Sequence, residues 1–416
     1  MNTPRRSKDD HLKINHRVVR NINRSLILNV IREKQPISRS EIAGVTKLNK
    51  STVSSIVEAL VAEELVTEHT NVTKKVGRNP INLQLTQEKH LVGAIYFDSA
   101  KTSIALVDID GSIKREKAIP PPTKWTNDFV IRCLKEVQLL VREVPQAKIK
   151  GIGVSVAGVV DSMNSRVLFA PNLGWEDFDL GALIKSEWPT VGQITIENDA
   201  RASALAELWF GKHSIGLSSF VFLSIGRGIG TGIVVDRRIL NGTTHAAGEF
   251  GHSTLIDNGE PCSCGNRGCW EAYASDRATV SRYRTASKRP IDSQYELTIE
   301  EVVALGQSGD AAARDALRQT GHYLGVGVEN IIRGVDPEAI IVGGAITKAW
   351  DVVYPEIIES INRHTYFWKH HKVSILPTSL TVNAALLGAA ALPIRRIFSD
   401  FKVTHQQYHG IAPAFG

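Results

Sequence analysis

The sequence predicts an α/β protein in which a small helical module precedes two related α/β lobes that face each other across a cleft. Three observations predict it. Helical periodicity fills the first 85 residues. From about residue 89, short apolar strands alternate with Gly-rich turns and helix-like stretches. The second half then repeats the strand-turn-strand layout of the first. At 416 residues the chain is too long for one ordinary core. A hydrophobic content of 43% and a charged content of 22% exclude a disordered or fibrous class. The apolar runs stop short of the ~18–20 residues a membrane helix needs. The start MNTPRRSKDDHLK carries no apolar signal region, so a cytoplasmic protein without a membrane partner is expected.

Charge divides the chain. Residues 1–90 hold 16 Lys and Arg against 9 Asp and Glu, while the rest hold 33 against 34. All of the excess positive charge therefore belongs to the first module, which suggests an anion-binding head on a near-neutral body. A solvated basic tail is the alternative.

The elements of the head follow in order. In NRSLILNVIREKQ (23–35), Leu26, Ile27, Val30 and Ile31 recur at helical spacing, and Pro36 closes the helix. SRSE (38–41) is a capping-box pattern, with Ser38 as N-cap and Glu41 three residues on. The short helix it starts offers Ile42, Ala43 and Val45 as apolar positions. In TKLNKSTVSSIVEALVAEELV (46–66), Val53, Ile56, Val57, Leu60 and Val61 form one stripe. Lys50, Ser51, Thr52, Ser54 and Ser55 occupy the opposite face. Two helices joined by a short turn, the second opening with small hydroxyl and basic residues, describe a helix-turn-helix whose second helix enters the major groove. Arg39 and Asn49 flank that face as further DNA contacts. LVTEH and INLQL read as two strands, and the basic loop TNVTKKVGRNP (70–80) between them reads as a wing, with Lys74, Lys75 and Arg78 set against the DNA backbone or minor groove. A packing module that binds no DNA would share the helices but not the basic excess.

The body begins with HLVGAIYFDSAKTSIALVDIDGSIKREKAI (90–119), three strands with turns near Ser99–Lys101 and at Asp110–Gly111. A helix-like stretch covers 127–143, and KGIGVSVAGVVD (150–161) is a buried strand running into a Gly loop. SSFVFLSIGRGIGTGIVVDRRILNG (218–242) repeats the first design.

ENDARASALAE (197–207), SIGRGIGTG (224–232), HAAGEFGH (245–252), CSCGNRGCWE (262–271) and AIIVGG (339–344) together resemble the ROK family of repressors, open reading frames and sugar kinases. The resemblance covers roughly 89–395 and implies an actin-like, two-lobed fold. The N-terminal head resembles that of the family's repressor branch, and LNKSTVSS (48–55) is similar to the reading helix of its xylose repressors. The expected domains are 1–88 for the winged helix-turn-helix, 89–198 plus about 380–398 for the first lobe, and 199–380 for the second.

His252, Cys262, Cys264 and Cys269 supply one imidazole and three thiolates in the spacing of the family element. These ligands suit a tetrahedral structural Zn2+ with no open position. Only four cysteines occur in the chain, and Cys133, the fourth, reads as a buried small hydrophobe. The resemblance further implies a sugar pocket lined by Asn198, Asp199, Glu249, His252 and Glu271. Asn172 in APNLGW is a weaker candidate for its wall. Carboxylates and amides held rigidly fit a ring of hydroxyls. The metal would then clamp the loop that aims Glu249 and Glu271.

Asp199 resembles the catalytic base of the family's sugar kinases. Those kinases carry an Asp-x-Gly-Gly-Thr turn after the first strand, where this chain has Asp98-Ser99-Ala100-Lys101-Thr102. The second turn keeps Gly228 and Gly230, and Gly343 and Gly344 remain on the adenosine side. A half-kept nucleotide site points to lost or feeble kinase activity, so ATP and Mg2+ are not expected as cofactors. Two functions stand at this point. One is a sugar-responsive repressor, a homodimer or homotetramer on a double-stranded operator released by a small sugar, xylose first. The other is an ATP-dependent sugar kinase with an appended DNA-binding module.

Overall fold

A computed structural model of the chain describes residues 16–70, 81–213, 216–287, 297–364 and 373–399. The head contains α1 (His16–Lys34), β1 (Ile37–Ser38), α2 (Arg39–Thr46), α3 (Lys50–Ala62), β2 (Val66–Thr70) and β3 (Ile81–Leu85). β3 lies between β1 and β2, antiparallel to both. This is a winged helix-turn-helix. Ser38 caps α2 through a complete capping box with Glu41. Lys47 leaves α2 in the left-handed region at φ 59°, which turns the chain sharply toward α3. Val53, Ile56, Val57 and Leu60 of α3 are buried, with Val61 half-buried. Leu26 and Val45, read as members of the apolar faces, instead point outward at 41% and 49% exposure. The buried stripe of α1 takes Leu28 in place of Leu26 and runs through Ile27, Leu28, Val30 and Ile31.

The body holds two five-stranded sheets of one design. The first is built from β4 (His90–Phe97), β5 (Thr102–Asp108), β6 (Ile113–Ile119), α4 (Asn127–Arg142), β7 (Lys148–Val156), β8 (Val159–Asp161), β9 (Arg166–Ala170), β10 (Trp175–Phe178), α5 (Leu180–Glu187) and β11 (Gln193–Asn198). Its order is β11-β7-β4-β5-β6, an antiparallel meander extended by two parallel strands, while β8 to β10 form a small separate sheet. α6 (Asp199–Phe210) leads on to β12 (Phe220–Ile225), β13 (Ile229–Val235) and β14 (Arg238–Ile239). α7 (Glu271–Ala274), α8 (Asp276–Ala286), α9 (Ile299–Gln307), α10 (Ala311–Val335), β15 (Ala339–Gly343), α11 (Trp350–His364), β16 (Ser374–Pro377) and α12 (Ala384–Phe398) complete the fold. The second sheet has the order β14-β13-β12-β15-β16, again a meander plus two parallel strands. The repeat, weak at the level of residues, is therefore explicit in the pairing, and the architecture is the two-lobed, actin-like one.

α6 and α12 pack against each other between the sheets. A Cβ at Gly388 of α12 would fall 2.0 Å from the Ala202 carbonyl oxygen, so the two helices touch backbone to backbone. One apolar core runs from α1 and α3 through Val92, Ala94, Ala105 and Val107 of the first sheet to Leu386, Ala390 and Phe398 of α12. The head is thus packed on the body rather than tethered to it. At the junction, the ring of buried His90 meets the Glu63 carbonyl at 3.1 Å, and Lys148 pairs with Glu64 at 2.7 Å. Among the described residues no helix is long and apolar enough to cross a membrane.

Candidate functional site

The reading head presents α3 by its N-terminus. Asn49 is the N-cap; its Oδ1 accepts the Thr52 amide at 2.7 Å and the Ser51 hydroxyl at 2.9 Å. Lys50, Ser51 and Ser55 are exposed, and Thr52 and Ser54 half-buried. Arg39 is paired with Glu68 of β2 at 2.5 Å, which ties the start of α2 to the winged strand. Lys74, Lys75 and Arg78 lie outside the described residues.

The cleft is organised by the junction of β11 and α6. Asn198 caps α6: its Oδ1 accepts the amides of Ala200 and Arg201, both at 3.0 Å, and its Nδ2 donates to the Gly158 carbonyl at 3.0 Å. That leaves one amide hydrogen of Asn198 for a ligand. Asp199, the first residue of α6, is half-buried beside Asp98 and Glu249. Burial raises its carboxyl to about 6, and the like charges of Asp98 and Glu249 push the same way. Glu249 itself is exposed toward solvent. Carboxylate acceptors set close together suit a polyol that donates several hydroxyls.

The second cluster lies on the loop between Glu249 and α7. His252 Nδ1 sits 3.7 Å from Cys262 Sγ, and Cys264 Sγ 3.7 Å from Cys269 Sγ. All four donor atoms fall within 4.8 Å of one another. Zinc–sulfur bonds of about 2.3 Å in a tetrahedron place two sulfurs about 3.8 Å apart, so this donor set can hold a metal ion. Gly265 and Gly268 take left-handed φ values of 89° and 76°, which lets the loop close around the donors. His252 turns Nδ1 to the cysteines and keeps Nε2 for another partner. Glu271 is 9% exposed; its Oε1 accepts the Ser263 hydroxyl at 3.1 Å and approaches Cys262 Sγ at 3.5 Å, while Oε2 accepts the Ile229 amide at 3.0 Å. Glu271 therefore joins the cysteine loop to the start of β13. Cys133 is buried in α4, and burial pushes its thiol up to about 12, as suits an inert core residue.

The glycine turn before β13 is largely self-satisfied. Gly226 donates to the Gly228 carbonyl at 3.0 Å, and Gly226 accepts the Asp276 amide at 2.9 Å. A Cβ at Gly228 would lie 2.2 Å from Glu271 Oε2, and one at Gly230 would lie 2.7 Å from the Ala200 methyl. Likewise a Cβ at Gly343 would strike the Phe222 ring at 2.5 Å, and one at Gly344 the Ile225 carbonyl oxygen at 1.9 Å. Packing alone thus accounts for all four glycines read as remnants of a nucleotide site. Asp276, whose amide meets this turn, is half-buried, and its carboxyl is raised to about 7 by burial and then by Glu300. At the first turn Asp98 folds back, its Oδ1 accepting the Ala100 amide at 3.2 Å.

Asn198, Asp199 and Glu249 are brought together, His252 faces the cysteines, and Glu271 bridges that loop to β13. Asn172 lies in the short 3-10 turn Pro171–Leu173, exposed. Sequence reasoning missed the buried pair Glu197–Arg201, at 2.8 Å, and the contact of Arg32 with Trp209. The i, i+4 spacing of Glu and Arg within ENDAR was the available signal for the first; no local pattern announces the second.

Comparison with known proteins covers both the head and the body. The ROK family profile matches residues 92–396, and a winged helix-turn-helix DNA-binding profile matches 20–67. The xylose repressor of Bacillus spizizenii is 32% identical over 388 residues, spanning 92% of this chain and 98% of that protein. A crystal structure of a ROK family transcriptional regulator, a homologue of the E. coli MLC protein, superposes with a TM-score of 0.77 at 28% identity, covering 92% of this chain and 97% of that one. A ROK family glucokinase from Streptomyces griseus, in complex with glucose and AMPPNP, matches with a TM-score of 0.63 at 26% identity over 73% of this chain and 98% of that one.

Proposed function

The chain belongs to the ROK family, and from that premise we propose that it is a transcriptional repressor which releases its operator when a small sugar enters the cleft beside Asp199. The observation that carries this reading is the single core shared by the winged helix-turn-helix, the first sheet and α12. A head packed in this way responds to the body's state. A head on a loose linker would not.

Sugar hydroxyls donate to Asp199 and Glu249, and Asn198 and His252 Nε2 complete the ring of partners. The ligand is an aldose, with xylose first, because a xylose repressor 32% identical over 92% of this chain is among its relatives. Zn2+ on His252, Cys262, Cys264 and Cys269 fits the donor set, and such an ion holds the loop between Glu249 and Glu271 rigid. The protein acts in the cytoplasm, as a homodimer whose two-fold axis matches a palindromic operator. α6 carries the signal: it begins at Asp199 in the cleft and ends beside Arg32 of α1. The sugar shifts the equilibrium only through a difference in its affinity for the two states.

Lys74, Lys75 and Arg78 complete the DNA contact from the wing, with Arg39, Asn49, Lys50, Ser51, Thr52, Ser54 and Ser55 on the reading helix side. The kinase reading retains Asp199 as a base, but the Asp98 turn lacks the glycine pair. Fluorescence anisotropy on the protein's own upstream DNA at ~0.15 M salt, with xylose, glucose and N-acetylglucosamine in turn, is the test. Tight binding abolished by one sugar supports the repressor; sugar-dependent ADP production without specific DNA binding supports the kinase.

A further inference from the structure

The loop that carries Glu249 leaves the second sheet at β14 and runs from Asn241 to Glu249 before the cysteine cluster begins. Within the loop the Ala247 amide donates to the Asn241 carbonyl, and its own sheet holds it through the hydroxyl of Thr231 in β13 on the Gly248 carbonyl. Further anchors tie it, through α6 and β8, to the first lobe. Arg201, in the first turn of α6 and 1% exposed, donates Nη1 to the carbonyl of His245 at 2.8 Å. The same guanidinium donates Nε to Glu197 Oε1 at 2.8 Å and Nη2 to the Val160 carbonyl at 3.4 Å. Glu197 belongs to β11 and Val160 to β8, both of the first lobe. Glu197 is fixed in turn by the Ser162 hydroxyl at 2.7 Å and the Asn198 amide at 2.8 Å. His245 sits in the left-handed region at φ 60°, uncommon for a residue with a Cβ, and its Nε2 lies 3.7 Å from Asp161 of β8.

A buried ion pair adds little to stability compared with a well-packed apolar pair of the same size. What it provides here is direction. A planar guanidinium reaches a carboxylate and two carbonyls at fixed angles, which neither a lysine nor an apolar side chain does. The strained backbone at His245 is held by that grip four residues before Glu249.

We propose that Arg201 is a positioning residue for sugar recognition: it links the His245 carbonyl to Glu197 of β11 and Val160 of β8 and so sets where Glu249 stands relative to Asp199. The inference rests on the reading that Glu249 binds the sugar. Arg201 touches no ligand; it determines whether the two carboxylates engage one sugar ring together. Loss of the clasp leaves the loop held by Thr231 and by the longer approach of His245 to Asp161, so that Glu249 can sample positions from which it cannot share a ligand with Asp199.

The test is a double-mutant cycle on the full-length protein. Affinities for xylose, glucose and N-acetylglucosamine are measured by titration calorimetry, and operator binding by anisotropy. Arg201→Lys is expected to weaken binding of the recognised sugar about tenfold or more, with sugar-free operator affinity held within about twofold. Glu249→Ala, costly in the wild-type background, is expected to cost less than about threefold on top of Arg201→Lys, because Glu249 is already misplaced. A purely structural role would leave the two effects additive. Should Arg201→Lys not fold, the charge-neutral pair Glu197→Gln with Arg201→Met replaces it. Wild-type sugar affinity in Arg201→Lys, or equal cost of Glu249→Ala in both backgrounds, overturns the proposal. Glu249→Ala without effect in the wild type overturns the pocket reading itself, whatever Arg201→Lys does.

Discussion

The guanidinium of Arg32 lies 4.0 Å from the centre of the Trp209 ring, and its Nη1 donates to the Trp209 carbonyl at 3.4 Å. Phe398, the last residue of α12, packs edge-on against the same ring at 5.5 Å, and its carbonyl accepts from Asn29 at 3.4 Å. Trp209 lies in the last turn of the helix that Asp199 begins. A rigid helix of twelve residues therefore connects the proposed sugar site to the first helix of the reading head. A shift of α6 on ligand binding must move α1 or break this contact.

Arg32→Gln is expected to separate two functions that the wild type couples. Cation–π contacts of a partly desolvated Arg amount to about 1–2 kcal/mol, too little to unfold the head. Calorimetry should therefore find sugar affinity nearly unchanged, and anisotropy should find the operator still bound. What should fall is the response: sugar at saturation releases much less of the DNA. Normal release by this variant would remove α6 from the signalling route.

Sugar affinity should depend on pH through Asp199. Its carboxyl is raised to about 6 in the sugar-free protein, and a sugar hydroxyl donates to the ionised form. Affinity is thus expected to climb as pH rises from about 5 to about 7.5 and then level off. The sign for stability is opposite. A raised carboxyl favours the folded state while protonated and loses that contribution as pH rises from its ordinary range through about 6. Asp199→Asn, which keeps an acceptor for the Ala200 amide, should raise the thermal midpoint of the sugar-free protein at pH 8. The gain should vanish near pH 4, and sugar binding should be lost at both values. An unchanged midpoint at pH 8 would contradict the burial of this charge.

The duplicated body was legible because strand-turn-strand periodicity is a property of short windows, and both meanders fall where the alternation placed them. The capping box at Ser38 and Glu41 was legible for the same local reason. The metal donors were legible by type and spacing, since three cysteines in eight positions have little other use in a chain with four. Long-range contacts were not legible. Nothing near Arg32 in sequence signals that its partner is Trp209, 177 residues on. Likewise nothing near Glu271 in sequence signals that its carboxylate accepts from Ile229 and Ser263. Hydrogen-bond partners brought in by tertiary packing leave no periodic trace.

Metal removal should act on the cleft and spare the head. Metal analysis of the purified protein is expected to find one zinc per chain. Chelation, or Cys264→Ser, should lower the thermal midpoint by several degrees, about what a loss of 1–2 kcal/mol produces in a domain of this size. It should also weaken sugar binding, because the loop from Glu249 to Glu271 loses its clamp. Sugar-free operator binding should persist, since the core of the head lies in a different cluster from the cysteine loop. Zinc-free protein with full sugar affinity would show that the loop holds its shape without metal.

The reading helix can be tested without confusing capping with contact. Asn49 both caps α3 and stands where DNA would approach. Asn49→Ala would remove the cap, at about 1 kcal/mol, and so weaken the helix and the DNA contact together. Asn49→Asp separates them. Aspartate accepts the Thr52 amide as well as asparagine does, and its charge is favourable at a helix N-terminus. The thermal midpoint should therefore stay level or rise. The same charge faces the phosphates, so operator affinity should fall about tenfold or more at ~0.15 M salt, and the loss should shrink as salt rises. Unaltered operator affinity in a fully folded Asn49→Asp protein would mean that the N-terminus of α3 does not meet DNA.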